Sequence, residues 1–385
     1  MKVLDINNFF VEACMKFYDI CLDDYHFIGI TGTDGKTTTA TLVKKIIGDA
    51  AYVGTNGLSV VNKTFPTKNT TPCVDELYAN LKYIKDYCAT TVMEVSSEAL
   101  LHDRVKNFEF DIVAFTNVTG DHLNVHGSFD NYVKCKFKLL DLVKKNGYIV
   151  VNGDDEILQN ITCQNMSTFG FDKNNDYQIF NVNYLSNFTE ISVKYKEEIF
   201  EIKSPLKGKH NVYNIVMAFI IGLLFGIDKN VLIERIEKIG YVRGRCEELD
   251  FGQDYKIILD YAHTILDTFS TCGKLITVVG CAGGREKSKR NIIGNLVMDK
   301  SDIAIFTMDD PRDENVSDII DQMVGGRKDY LRFIDREEAI NHALSIANKD
   351  DIVLILGKGR DNYMAINNEK VPYCDYEVVE KYFAN

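Results

Sequence analysis

The sequence predicts an α/β fold in two parts: an N-terminal region on a mostly parallel sheet, then a smaller Rossmann-like α/β region. Three observations carry this expectation. Short apolar, β-rich runs alternate with longer helical stretches through most of the chain. Several of those runs end in polar residues, as strands do where open α/β sheets bind their ligands. The rhythm then restarts near Gly244 and continues to the end, over a length suited to an independent domain. A chain of 385 residues has room for two to three domains with a substantial core.

Taken in order, Phe27–Thr31 reads as a strand, followed by a Gly-rich turn and a Thr-led helix over 37–48. Thr90–Glu94, Asp111–Thr116 and Tyr148–Asn152 read as further strands. Residues 177–203 alternate in period two and read as a small antiparallel section at the domain edge. Asn211–Gly226 and Lys229–Ile239 read as helices, each closing near a glycine. After Gly244, strands at Lys256–Asp260, Leu275–Val279, Asp302–Thr307 and Ile352–Leu356 are separated by helices at 287–299, 315–324 and 336–348. The expected domains are 1–243 and 244–385.

Composition narrows the function classes. With 44 Lys+Arg against 56 Asp+Glu the net charge is −12, and no basic run is present. Nonspecific nucleic-acid binding and attraction to anionic lipid are therefore not expected. A local basic pocket for a small anionic substrate stays compatible with that balance. The longest apolar stretch, Ile215 to Ile227, is short of the ~20 residues that span a bilayer. Met1-Lys-Val-Leu-Asp5 lacks the apolar core of a signal peptide. Ten scattered cysteines, none in Cys-x-x-Cys, read as reduced thiols. The expected location is the cytoplasm.

The strongest chemical signal is Gly29-Ile-Thr-Gly-Thr-Asp-Gly-Lys-Thr-Thr-Thr39. Glycines let backbone amides converge on phosphate oxygens, and the following helix adds the positive end of its dipole. In such a P-loop, Lys36 reaches the β/γ-phosphates and Thr37 holds Mg²⁺. Ile30 stands where the strict motif has its first glycine. Met93-Glu-Val-Ser-Ser97 places Glu94 at a strand end, within reach of a metal held on phosphates. Thr116-Asn-Val-Thr-Gly-Asp-His-Leu-Asn-Val-His126 follows another strand. His122 and His126 are four apart, but no third ligand accompanies them, so a zinc site is not expected and His126 reads as a hydrogen-bonding residue.

These segments, with Asn211-Val-Tyr-Asn214, Gly244-Arg-Cys-Glu247, Asp260-Tyr-Ala-His-Thr264, Gly283-Gly-Arg-Glu-Lys287, Asp310-Pro-Arg312 and Gly357-Lys-Gly359, stand in Mur-ligase order. From about residue 27 to about 365 the chain resembles the Mur ligases, most of all their UDP-MurNAc-tripeptide synthetase branch. The resemblance implies an ATP-binding central domain and a C-terminal ligase domain. It implies ATP-dependent amide formation through an acyl phosphate, with a diamino acid (meso-diaminopimelate favoured) added to a muramoyl-peptide D-Glu carboxylate. Its cofactors would be ATP, Mg²⁺ at up to two sites, and a carbamylated lysine.

By matching position, Gly32, Thr33, Gly35, Lys36, Thr37 and Thr38 would cradle the nucleotide. Asn214, Arg245 and Asp260 would contact adenine, phosphate and ribose. Thr37 and Glu94 would hold one metal; His122 and a carbamylated Lys136 would hold a second. Without the resemblance, Lys136 would read as a surface lysine beside Lys134 and Lys138. Lys36, Lys136 and His122 are the catalytic candidates. Asn69, Thr70, Thr71, Ser96, His102 and Arg104 match acceptor-binding positions. Arg285, Asp310, Arg312, Gly357 and Asp361 match the pocket for the incoming amino acid, where a guanidinium can clamp a distal carboxylate bidentately.

The chain also departs from the family pattern. Only about 26 residues precede the P-loop, too few for the family's uridine-diphosphate domain, which leaves room for a separate partner supplying acceptor binding. Ser-Ser-His has become Ser-Ser-Glu98, and Pro-Asp after Thr264 has become Ile265-Leu266, with a shortened helix to follow. Asp310 replaces an asparagine and Asp361 a glutamate. Two other functions fit the same motifs: a ligase for a non-UDP acceptor, like folylpolyglutamate or poly-γ-glutamate synthases, and a non-catalytic nucleotide-binding protein.

Overall fold

The computed structural model describes residues 6–120, 123–185, 187–261, 266, 272–367 and 369–384. It divides into two compact units, Met1–Gly240 and Tyr241–Asn385.

The first unit is built on eleven strands: β1 (His26–Thr31), β2 (Ala51–Gly54), β3 (Gly57–Val60), β4 (Lys63–Phe65), β5 (Thr90–Glu94), β6 (Phe110–Phe115), β7 (Val143–Asn152), β8 (Met166–Gly170), β9 (Tyr177–Tyr184), β10 (Thr189–Tyr195) and β11 (Glu198–Ser204). They form one sheet in the order β11-β10-β9-β8-β7-β6-β1-β5-β2-β3-β4. Pairing is parallel from β2 through β9 and antiparallel at both flanks. The period-two section at 177–203 is the expected antiparallel edge, and it joins the main sheet through the parallel pair β8–β9. The expected strand at Tyr148–Asn152 begins earlier, at Val143, with a register shift opposite Asp111.

β1 after His26 and all of β5 are buried, the pattern of parallel strands covered on both faces. Phe27, Met93, Val113 and Phe115 join one core with Val11, Cys14, Leu77, Tyr78 and Leu81 from helices Ile6–Tyr18 and Val74–Ile84. Alternation turns Ile28, Ile30 and Val92 the other way, where helix Lys36–Ile47 packs on helix Lys209–Leu224. Register then aligns the strand ends that matter: Ile30 pairs Glu94, and Thr31 pairs Phe115.

The second unit carries β12 (Glu247–Leu249), β13 (Lys256–Asp260), β14 (Leu275–Val279), β15 (Ile303–Phe306), β16 (Leu331–Arg332) and β17 (Ile352–Leu356), in the order β12-β13-β17-β14-β15-β16. Only β12 is antiparallel to its neighbour. Helices Ser288–Lys300, Val316–Val324, Arg336–Ile346 and Asp375–Ala384 accompany it, with a hairpin of β18 (Tyr363–Ile366) and β19 (Glu369–Pro372). Asp260 pairs Leu356, so β13 and β17 end together. No described helix is long and apolar enough to cross a membrane.

Candidate active site

The Gly-rich turn leaves β1 with Gly32 at φ 148° and enters helix Lys36–Ile47 at Gly35, which caps it in a left-handed conformation. Ile30 lies inside β1, so the turn needs its glycine at 32 instead. A Cβ there would stand 1.8 Å from Thr116 Oγ1, at the end of β6. The loop is bound down on that side: Thr33 N donates to Asn117 O at 2.9 Å, Asp34 N to Asn117 Oδ1 at 2.9 Å, and Thr116 Oγ1 to Asp34 O at 2.6 Å. Thr33 Oγ1 also lies 3.0 Å from the Tyr132 hydroxyl. Thr38 is buried in the first turn of the helix. On the other side Asn214 is buried against Gly35; its Oδ1 accepts from Thr39 Oγ1 at 3.2 Å and its Nδ2 donates to Asn211 Oδ1 at 3.1 Å.

Thr37, on the first turn, donates through Oγ1 to Glu94 Oε2 at 2.9 Å. Glu94 is fully buried at the end of β5 and is ringed by donors. Its Oε1 accepts from the Tyr52 hydroxyl and, at 2.9 Å, from the Thr55 amide; Oε2 accepts from Thr55 Oγ1 at 3.3 Å. Tyr52 and Thr55 were not expected from the sequence, because β2 is only four residues long. A hydroxyl and a carboxylate converging beside a phosphate loop are hard oxygen donors, the set Mg²⁺ takes. Among the described residues no group of three or more His, Cys, Asp or Glu side chains could hold a metal alone. A cation here would complete its shell with phosphate and water, as Mg²⁺ does.

Two lysines meet at Gly32. Lys36 Nζ donates to the Gly32 and Thr33 carbonyls at 2.9 and 2.7 Å, and Lys136 Nζ to the Gly32 carbonyl at 2.6 Å. Lys136 is no surface lysine: it is 1% exposed, with its ammonium 4.6 Å from the Tyr132 ring centre. His126 is buried too, its Nε2 3.0 Å from Ser97 Oγ, the hydrogen-bonding part expected of it. Asp121 and His122 lie outside the described residues.

The acceptor candidates lie beside the same strand end, bonded to Thr55 and to the Glu94 main chain. Thr70 Oγ1 lies 3.1 Å from Thr55 Oγ1, and Thr71 Oγ1 donates to the Glu94 carbonyl at 2.7 Å. Ser96 N donates to Thr71 Oγ1 at 2.9 Å, and Arg104 Nη1 to the Thr71 carbonyl at 2.9 Å. Asn69 Nδ2 faces Cys73 Sγ at 3.8 Å, and His102 ends helix Ser97–Leu101, exposed.

In the second unit Asp260 Oδ2 accepts from the Cys246 amide at 2.7 Å, and the Arg245 guanidinium lies 4.9 Å from the Tyr261 ring centre. Burial and the neighbouring Asp260 push the Cys246 thiol well above its usual range. Residues 262–265, with the rest of the Asp-Tyr-Ala-His-Thr motif, and 267–271, where the shortened helix was expected, lie outside the described residues.

Asp310 and Arg312 both adopt positive φ, 40° and 54°. Their turn is pinned by the hairpin: Arg312 N donates to Ala365 O at 2.8 Å, Asn367 N to Arg312 O at 2.6 Å, and Ala365 N to Asp310 Oδ1 at 2.9 Å. Lys358, 1% exposed and missed from sequence, donates to Asp310 Oδ1 at 2.8 Å and Asp361 Oδ2 at 3.1 Å. Burial opposes its charge, yet the carboxylates of Asp361, Asp309 and Asp310 hold the ammonium above the usual lysine range. Burial also pushes Asp309 up to about 6, against Arg336 and Lys358. Gly357, whose amide donates to the Asp260 carbonyl at 2.9 Å, and exposed Arg285 complete the set.

The Gly-rich turn, with Thr37 and Glu94 converging beside it, fits a phosphate loop flanked by hard oxygen donors, and the comparisons agree. Residues 30–222 match the Mur ligase middle domain and 244–359 the Mur ligase, glutamate ligase domain. The UDP-N-acetylmuramoyl-L-alanyl-D-glutamate–2,6-diaminopimelate ligase of Bacillus cereus is 35% identical over 95% of this chain and 79% of its own length. A solved structure of a ligase of that name is 28% identical with a TM-score of 0.64, over 94% of this chain and 78% of that one. A Mycobacterium tuberculosis folylpolyglutamate synthase, 14% identical with a TM-score of 0.73 over 90% of this chain and 91% of that one, shares the fold. The chain belongs to the Mur ligase family and is an ATP-dependent ligase.

Proposed function

We propose that the chain joins an amine of meso-diaminopimelate to the D-Glu carboxylate of UDP-MurNAc-L-Ala-D-Glu. The observation that carries the reading is the Thr37–Glu94 pair, 2.9 Å apart beside Lys36, with the Thr70–Thr71 segment bonded to the same Glu94. Nucleotide and acceptor groups thus meet at one residue, Thr37 on the Glu94 carboxylate and Thr71 on its main-chain carbonyl. The printed names of the relatives supply the substrates.

A carboxylate is a poor electrophile with a poor leaving group. Transfer of the γ-phosphoryl to a carboxylate oxygen breaks the bond to ADP and yields an acyl phosphate; the amine then attacks the carbonyl carbon, loses a proton, and inorganic phosphate departs. Lys36, now folded onto the Gly32 and Thr33 carbonyls, would turn to the β/γ-phosphates and offset the charge that gathers as phosphate meets carboxylate. Thr37 and Glu94 would hold Mg²⁺, which neutralises phosphate charge when bound. Lys136 would lose a proton from its ammonium, add CO₂ as the free amine and release a second proton, becoming a carbamate toward a second Mg²⁺ with His122; its burial at the loop supports this. Thr33, Gly35 and Thr38 shape the loop and helix start, while Asn214, Arg245 and Asp260 would meet the nucleoside and phosphates. Asn69, Ser96, His102 and Arg104 would orient the acceptor. Arg285 and Arg312 would take the amino acid's distal carboxylate, with Asp310, Gly357 and Asp361 lining its pocket.

In this reading a central domain runs over 1–243 and a ligase domain over 244–385. The use of ATP and a nucleotide-linked acceptor places the reaction in the cytoplasm. A separate partner supplying acceptor binding belongs to the same reading; adding it would lower the KM for acceptor and leave that for ATP unchanged. The test is an acceptor panel, UDP-MurNAc-dipeptide against nucleotide-free peptides and folates, with ATP, Mg²⁺ and several amino acids. Amide formed on a nucleotide-free acceptor alone overturns the acceptor. Absence of ADP release stimulated by acceptor plus amino acid overturns catalysis.

A further inference from the structure

The cations assigned to the amino acid stand on two segments of the second unit: residues 282–285 and the turn Asp310–Arg312. Their backbones touch. The Gly283 amide donates to the Asp310 carbonyl at 3.0 Å, and a Cβ on Gly283 would lie 2.0 Å from the Pro311 carbonyl oxygen. The Arg312 guanidinium lies over Gly284, with Nη1 3.2 Å from where a Cβ there would sit. Arg285 follows directly, so any slip between the segments changes the spacing of the two arginines.

One carboxylate spans the junction. Glu314, two residues after Arg312, accepts from the Gly284 amide at 2.6 Å and from Arg290 Nη1 and Nη2 at 2.8 and 3.0 Å. Lys287 Nζ stands 3.3 Å away. Arg290 is 1% exposed and also donates to the Ala282 carbonyl at 3.1 Å and Gln322 Oε1 at 2.7 Å. One guanidinium therefore grips the first segment at Ala282, the second through Glu314, and helix Val316–Val324 through Gln322. Its bond to Glu314 holds that carboxyl down to about 2, so the clamp stays charged at any working pH.

We infer that Glu314, gripped by Arg290, is a positioning residue for amino-acid selection: it sets the spacing of Arg285 and Arg312, and through it the fit of the distal carboxylate. The inference rests on the proposal that these two arginines take that carboxylate. Bidentate recognition is sensitive to sub-ångström placement, and a 1 Å misplacement costs about 10²-fold.

The test measures kcat and KM for diaminopimelate, lysine and ATP, with melting temperature, in wild type, Glu314→Gln and Glu314→Asp. Glutamine keeps the shape but loses the charge and turns an NH₂ toward the donors of Gly284 or Arg290. Its KM for diaminopimelate should rise about 10- to 100-fold, and the preference for diaminopimelate over lysine should fall by a similar factor. Lysine has no distal carboxylate to misplace. The KM for ATP should stay within about twofold, and aspartate, charged but one carbon short, should recover part of the preference. A preference unchanged in Glu314→Gln overturns the inference, as does an equal loss for both amino acids and ATP. Should the glutamine variant not fold, the aspartate variant is read by the same ratio; should neither fold, the carboxylate is structural and the inference falls. A wild type that prefers lysine, or shows no amino-acid-stimulated turnover, overturns the underlying proposal; a wild type that prefers diaminopimelate beside unaltered variants overturns only the role of Glu314.

Discussion

Glu94→Gln separates the metal role of this side chain from its packing role. On Oε1 the carboxylate receives the Tyr52 hydroxyl and the Thr55 amide; on Oε2 it receives the Thr37 and Thr55 hydroxyls. An amide N–H can only donate, so the glutamine carbonyl takes the Oε1 place. The Oε2 partners are both hydroxyls, which rotate and accept from an NH₂. All four contacts therefore survive, and what is lost is their charge assistance, about 1–2 kcal/mol in total. At about 2–4 °C per kcal/mol for a unit of this size, the melting temperature should fall by about 2–8 °C.

Catalysis should respond on a different scale. The NH₂ is now aimed at Thr37, where the cation is to be held, and an amide nitrogen with two protons offers it no lone pair. Loss of one preorganised charge predicts a fall in kcat of about 10²–10³-fold or more, with a higher Mg²⁺ requirement. Amino-acid-dependent ADP release across a Mg²⁺ series measures the first effect and thermal melting the second. A variant that keeps more than about a tenth of wild-type kcat at an unchanged Mg²⁺ requirement removes Glu94 from the metal site. A variant that fails to fold shows instead that the hydroxyls cannot reverse.

Lys36→Ala should leave the fold intact and cut turnover by about 10²-fold or more, and substantial residual activity would remove Lys36 from the phosphate site. Lys136→Ala should abolish turnover, with partial recovery by formate and none by bicarbonate; undiminished activity without rescue would show the lysine to be a mere support for the loop. In wild type meso-diaminopimelate should exceed lysine in kcat/KM by up to about 10⁴, and Arg312→Ala should erase most of that gap; lysine as the better substrate would end the carboxylate clamp. Asp309, raised to about 6 by burial, binds a proton in the native state that the unfolded chain releases near pH 4. Stability of the second unit should therefore fall as pH rises from about 4 to about 6, and Asp309→Asn should flatten urea midpoints across that window; a slope unaltered in the variant assigns the dependence elsewhere.

Residues fixed by local rules were legible in the sequence. Lys36 and Thr37 follow from a strand, a glycine turn and a helix start within ten residues, and Glu94 from the end of the neighbouring strand. Lys136 was legible only through the resemblance: its residues alone read as a surface lysine, whereas it stands four residues after Tyr132 on the buried face of helix Phe129–Phe137, with Lys134 and Lys138 exposed. Tyr52 and Thr55 were not, because β2 spans only four residues and is held by pairing with distant β5, with the short β3 and β4 added beyond it. The β18–β19 hairpin was missed for a related reason. β19 is exposed throughout and offers no apolar alternation to read.

The two acidic departures from the family pattern, Asp310 and Asp361, show what only the fold could supply. Read as residues, they add negative charge to a pocket meant for an amino acid's carboxylate and so argue against diaminopimelate. In place, both face Lys358, whose ammonium lies 2.8 Å from Asp310 and 3.1 Å from Asp361. Asp310 spends the same oxygen on the Ala365 amide, which also fixes the hairpin that holds Arg312. The acids are thus turned to Lys358 and to the backbone, and one of their two charges is cancelled by a buried cation. What Asp310 does for Arg312 is structural: it holds the strained turn in which the guanidinium is presented. Removing Lys358 would leave two part-exposed carboxylates facing one another beside that turn without their cation. Under the proposed Arg312 clamp, selection for a distal carboxylate would rest on a lysine that need never touch the substrate.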